Sequence, residues 1–169
     1  MSETKTLNDL FVEELCDAYD SEQQLTKALK KMATSAKDPE LAAAFSGHLQ
    51  ETMGHITALE QVFGLLGMKP KGKHSNGIAG VIKEASGDAD EASKSAVRDS
   101  TLIGGGRRAE HYEMGAYLSL IAMGEELDYV DACSLLRGIL AEEEAADKKL
   151  AKLSKSVNAA AHKDAMSAV

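Results

Sequence analysis

Across 169 residues there are two prolines, Pro39 and Pro70, and neither lies inside a run with helical hydrophobic spacing. A chain interrupted so rarely, and patterned at intervals of three and four, is expected to fold into long helices and little else. Leu7, Leu10, Phe11, Leu15, Ala18, Leu25, Leu29 and Met32 mark a first helix over about 7–35, with Thr6 as its N-cap. Asp38 followed by Pro39 reads as an N-cap and a first-turn proline. They open a second helix over 39–66 through Leu41, Phe45, Leu49, Ile56, Leu59, Val62, Phe63 and Leu66. Val97, Ile103, Met114, Tyr117, Leu118 and Ile121 place a third over 96–126. Leu135, Leu136, Ile139, Leu140, Leu150 and Leu153 place a fourth over 129–154, with Asp128 as its N-cap. Residues 155–169 are Ala-rich and weakly patterned, and are expected to fray or stay unstructured.

The connections decide the topology. The first and last helix pairs are separated by a few residues, so each is expected to close as an antiparallel hairpin. Residues 67–95 are different. They begin with the basic, turn-rich Lys69–Gly77, continue into a possible short helix over 78–85, and end in the polar stretch 87–95. At about 3.3 Å per extended residue such a segment crosses the length of a bundle. Two hairpins joined by one long crossover is the ferritin-like arrangement of an all-α four-helix bundle, here a single domain over 1–169.

Each apolar seam is interrupted by acid near its midpoint. Glu22 fills the vacant slot in Phe11, Leu15, Ala18, Leu25, Leu29. The second helix carries Leu41, Ala44, His48, Glu51, His55, Ala58 and Val62 in one stripe. The third carries Ile103, Gly106, Glu110, Glu113, Tyr117 and Leu120, and the fourth Leu136, Ile139, Leu140, Glu143, Asp147 and Leu150. Antiparallel helices of similar length bring their midpoints to one level, so these groups are expected to meet in one layer. Buried carboxylates crowded together are unfavourable unless protonated, paired or bound to a cation. Lys and Arg are missing from those slots, which points to metal. Oxygen ligands with one or two imidazoles suit iron, then manganese or zinc. The expected ligands of two metal ions are therefore Glu22, Glu51, His55, Glu110, Glu113, Glu143 and Asp147, with His48 as an alternative imidazole.

In that scheme Glu51 and Glu143 bridge or chelate, and Glu22 with His55 or Asp147 are terminal. Tyr19, three residues before Glu22, is either a phenol supporting the site or a packed core residue. Glu142, Glu144 and His111 read as solvated. Gly104-Gly105-Gly106 should cost the third helix about 1 kcal/mol each relative to Ala, and close helix approach is the preferred reason for it.

Charge narrows the partners. The formal net charge of −8 argues against nucleic-acid and membrane surfaces, both of which repel an acidic chain. No apolar run is long enough to span a bilayer. Cys16 and Cys133 stand alone, without a CxxC pair, and read as reduced thiols of a cytoplasmic protein.

The segments Leu15–Leu25, His48-Leu49-Gln50-Glu51-Thr52, Val97-Arg98-Asp99, Glu110-His111-Tyr112-Glu113 and Leu140–Asp147 resemble, in order over about 7–153, the YciF/YciE-type bacterial ferritin-like stress proteins. The resemblance implies a cytoplasmic, often dimeric protein linked to stress. It also implies a site similar to that of rubrerythrin, where one helix supplies a Glu-x-x-Glu pair like Glu110 and Glu113. It implies no established reaction, and members differ at the position of His55. The rubredoxin-like CxxC half of rubrerythrin has no counterpart here. The expected function is a di-iron protein that binds Fe(II) and reacts with peroxide or oxygen. The alternatives are a non-catalytic scaffold with a structural or vestigial metal, and a storage subunit that would need to assemble into a cage.

Overall fold

The computed structural model describes residues 5–91 and 95–167, and among them every regular element is a helix. In chain order these are α1 (Leu7–Ser35), α2 (Pro39–Leu65), α3 (Asn76–Glu91), α4 (Ala96–Glu126) and α5 (Val130–Ser167). α1 pairs with α2 and α4 with α5 as antiparallel hairpins. The hairpins pack through α2 against α5 and α1 against α4, while α3 lies in the crossover against α4 and α1. This is the ferritin-like bundle.

Local chemistry fixes the ends. Thr6 and Asp9 form a reciprocal capping box at α1, and Asp38 accepts from the Glu40 and Leu41 amides at α2. α2 stops at Gly67, which takes φ 67° while the Met68 amide reaches the Phe63 carbonyl at 2.9 Å. The same closure ends α4. Asp128 sits at φ 59°, and the Tyr129 amide donates to the Gly124 carbonyl at 2.8 Å. Asp128 therefore terminates α4 and is not the N-cap of α5 that its side chain suggests. Asp99, buried on α4, accepts from the Lys37 and Asp38 amides at 2.7 and 2.8 Å and so ties the α1–α2 turn to the other hairpin.

Two further expectations change. The crossover helix runs on through the stretch expected to be polar loop as far as Glu91, and residues 92–94 lie outside the described residues. Its start is anchored: the Ser75 amide donates to Asp20 at 2.8 Å, and Gln24 donates to the Ser75 carbonyl at 3.1 Å. The tail is helical to Ser167, with residues 168–169 outside the description. Val157 extends the Leu150–Leu153 seam one turn further into the core, and Ser100 of α4 donates to Asn158 at 2.7 Å. Those contacts give the tail the packing that its composition alone does not advertise.

The core is divided. One apolar cluster gathers Phe11, Leu15, Leu59, Phe63, Leu120 and Leu136, and a second gathers Leu25, Leu29, Leu41, Phe45, Leu102 and Leu150. Between them lies a layer of buried acids and imidazoles.

Candidate metal centre

Helix geometry explains how the layer is populated. Glu22 comes from α1, and His48 and His55, two turns apart on one face, come from α2. Glu110 and Glu113, on successive turns, come from α4, and Glu143 comes from α5. All six are buried. Their donor atoms form two sets, His48, Glu110, Glu113 and Glu143 in one and Glu22, His55 and Glu143 in the other, each with its atoms within 4.8 Å of one another. Glu143 belongs to both. Its Oε1 lies 3.0 Å from His55 Nδ1 and its Oε2 lies 3.4 Å from His48 Nε2.

These atoms crowd together without satisfying one another. Glu22 Oε2, Glu110 Oε2, Glu113 Oε1, both oxygens of Glu143 and His55 Nδ1 are buried and make no hydrogen bond of acceptable geometry. Orphaned buried polar atoms are rare and costly, and a convergent group of carboxylate and imidazole donors is the kind of arrangement that a cation satisfies. Either set could hold a metal ion. The distances and the oxygen–imidazole chemistry fit the group that the sequence points to.

The far side of each imidazole is also fixed. His48 Nδ1 donates to Glu51 at 3.0 Å, and His55 Nε2 donates to Glu142 at 2.8 Å. Both acceptors are half exposed, with side-chain accessibilities of 49% and 54%. Each ring therefore runs from a rim carboxylate to the interior, and the bonded N–H leaves the other nitrogen facing the centre. The facing atoms differ, Nε2 for His48 and Nδ1 for His55. Such carboxylate–imidazole pairs orient metal ligands and raise their basicity.

Electrostatics follow from burial. Desolvation raises Glu22 and pushes Glu113 well above the usual carboxylate range, with Glu143 adding repulsion to both. Desolvation also raises Glu143, to about 7, although His55 opposes it. For the imidazoles burial works against the charge, yet the neighbouring carboxylates win. Glu110 and Glu143 lift His48 to about 9, and Glu143 and Glu22 lift His55 to about 11. Without a metal the layer holds protons.

Several expected members stand elsewhere. Glu51 is not in the layer but on its rim, because Thr52 takes the buried slot on that turn of α2. Asp147 is also outside, held by Arg107 Nε at 2.7 Å, which keeps its carboxyl below the ordinary value. His48 and His55 do not compete; both face inward. Tyr19 is not the supporting phenol, since its hydroxyl donates to Glu60 at 2.9 Å. The phenol that reaches the layer is Tyr117, which donates a short hydrogen bond to Glu22 Oε1. Tyr117 stands one turn after Glu113 on the seam, and that spacing was the available signal. Glu142, read as surface charge, is the His55 partner. His111 is exposed, with its Nε2 3.4 Å from Asp147.

Relatives carry the same architecture. Residues 6–162 match the domain of unknown function DUF892. The chain belongs to the DUF892 family. Protein YciF of Escherichia coli K12 is 39% identical over 150 residues, which cover 88% of this chain and 90% of YciF. The crystal structure of that stress protein superimposes with a TM-score of 0.86 at 38% identity, covering 91% of this chain and 98% of the other. YcfI of Rhodopseudomonas palustris, described as a candidate structural protein, gives a TM-score of 0.85 at 42% identity over 89% and 96%. A dodecameric thioferritin from Bacteroides fragilis shares the DUF892 fold at 15% identity and a TM-score of 0.70, over 94% and 91%. No helix among the described residues of this DUF892 chain is long and apolar enough to cross a membrane.

Proposed function

We propose that this chain is a two-metal carboxylate protein of a bacterial stress response, that it holds iron in preference to manganese or zinc, and that it oxidises Fe(II) with peroxide or oxygen. The observation that carries this reading is Glu143, whose two oxygens face two different imidazoles. A carboxylate so placed can serve two ions at once, and two-metal sites use such sharing to hold their ions close together. Charge supports it. Four buried carboxylates, Glu22, Glu110, Glu113 and Glu143, balance two divalent ions when His48 and His55 are neutral. The stress assignment rests on the E. coli relative.

Two ferrous ions would supply the two electrons that take one peroxide and two protons to two waters, or one dioxygen and two protons to one hydrogen peroxide. The chain's own part is to place and protect them. Glu51 and Glu142 set the two imidazoles, and Tyr117 pins one oxygen of Glu22 and leaves the other free. Glu110 and Glu113 offer carboxylates on successive turns of α4, so one can shift without moving the helix. The apolar clusters on either side keep bulk water out.

The same reading makes the protein a cytoplasmic homodimer with no nucleic-acid or membrane partner, in keeping with buried free Cys16 and Cys133 and the acidic surface. The second reading is a scaffold whose metal is structural, and the description of YcfI favours it. Reconstitution decides between them. Elemental analysis should find close to two ions per chain, and ferric absorption after adding peroxide should rise faster than with free Fe(II). Glu113→Ala should slow that rise, while His111→Ala leaves it alone. Two bound ions without accelerated oxidation would favour the scaffold. No bound ion, and no thermal shift with Fe(II), Mn(II) or Zn(II), would remove the site.

A further inference from the structure

An apolar cavity of about 30 Å³ lies between α1, the crossover helix α3 and α4, and its inner end is formed by His48 and Glu110. Leu25, Leu29, Ile82, Leu102 and Ala109 are among the apolar residues of its wall. A methyl at Gly106 would stand 2.9 Å from Leu150 Cδ1 and 3.2 Å from Phe45 Cε1, and one at Gly105 would stand 2.4 Å from Ala85 Cβ. The two glycines let α3 and the core close over the site while a void remains beside Ala109.

We infer that this cavity is a binding site for a small neutral diatomic gas, dioxygen above all, and its antechamber to the metal centre. The inference rests on the two-metal reading for its purpose but not for its existence. Two properties select the ligand class. Buried water needs two to four polar partners. Here the polar residues stand at the two ends, His48 and Glu110 toward the ligand layer, with His48 Nε2 and Glu110 Oε2 3.3 Å apart, and Lys31, Ser35 and Ser86 toward the partly exposed rim, and the wall between them is aliphatic. Peroxide, which must hydrogen-bond through both oxygens, is a poor fit to an aliphatic wall for the same reason. Size sets the other limit. A cavity of about 150 Å³ is what takes a benzene ring, so this one admits a diatomic molecule or a single heavy gas atom. A longer apolar ligand would have to displace α3.

Xenon provides the probe. The metal-free protein, methyl-labelled at Leu and Ile, should show saturable xenon-induced shifts at Leu25, Leu29, Ile82 and Leu102, and none of similar size at Leu15 or Leu136 in the other core. Ala28→Leu, at the partly exposed edge of the cavity, should shrink those shifts several-fold while the protein still binds metal. In the iron-loaded protein the same variant should slow oxidation by dioxygen several-fold and leave oxidation by peroxide within twofold of wild type. If Ala28→Leu folds poorly, Ala28→Val, with its smaller side chain, carries the same comparison. Absent or scattered xenon shifts would overturn the site, whatever the metal results. Localised shifts with equal slowing of both oxidants would overturn the antechamber. A chain that binds xenon here but holds no metal would sink the two-metal reading and leave the gas site standing.

Discussion

The proton load of the ligand layer predicts an unusual pH dependence for the metal-free protein. His48 is raised from its ordinary 6.5 to about 9, and His55 to about 11, by the carboxylates they face. A folded-state pKa above the unfolded one contributes stability that is complete below pH 6.5 and is lost as pH climbs through the folded value. Glu143, raised to about 7, has the same sign. The unfolded chain ionises it near 4.5 while the folded one resists, so folding loses ground between those values. Each of these three shifts leaves the native state holding more protons than the unfolded one, so the layer's contribution to stability falls as pH rises. At 1.36 kcal/mol per unit, His48 alone amounts to about 3 kcal/mol across the window from 6.5 to 9. Urea denaturation of chelator-treated protein at about pH 6 and about pH 9 should recover a loss of at least that order, since His55 and Glu143 add to it with the same sign. His48→Gln should make the fall shallower in the same window, leaving the share of His55 and Glu143. Metal should reverse it, because ions displace the imidazole protons and bind more tightly as pH rises. A metal-free protein equally stable at both pH values, or more stable at the higher one, would refute the electrostatic account of the layer.

Three further outcomes follow from individual contacts. Glu113→Leu removes a carboxyl that burial already pushes far up, so the metal-free protein should gain about 1–3 kcal/mol in urea melts while metal affinity drops. Glu142→Ala frees the outer nitrogen of His55 without touching the core, and should weaken metal binding about 10- to 100-fold in calorimetric titration with little change in metal-free stability. Gly104→Ala meets Arg108 Nη1 at 3.8 Å, an ordinary contact, and should stabilise the helix by up to about 1 kcal/mol. Gly105→Ala puts a methyl 2.4 Å from Ala85 Cβ and should cost about 1–3 kcal/mol before that gain, so the two variants should shift thermal melting in opposite directions.

The bundle was legible because its signals are local and redundant: capping side chains at Thr6 and Asp38, long seams, and one connection too long for a hairpin. The depth of the acid layer was legible for the same reason, since Glu22, Glu110 and Glu143 each break an otherwise apolar run. Helix phase was the weak point. A strict three–four alternation puts Glu51 after His48 and Asp147 after Glu143, but at 3.6 residues per turn the neighbouring position is nearly as close to the seam. The structure gives those turns to Thr52 and Ala146 and leaves both acids outside. Partners were the other blind spot. Periodicity places Tyr19 and Tyr117 on inward faces alike, but nothing in it says that one phenol reaches Glu60 and the other Glu22. Asp128 misled because the same residue type favours an N-cap and tolerates the left-handed backbone that ends a helix.

Glu143 has a consequence for the order in which ions arrive. Its two faces are unequal: four donors converge on the side of His48, three on the side of His55. On the two-metal reading the richer pocket should fill first. The charge Glu143 can offer across the layer would then be partly spent, so a second ion should meet a weaker host and loading should proceed in two separable steps. Two unlike metals added in sequence could then be seated side by side, each in the half that its moment of arrival left open.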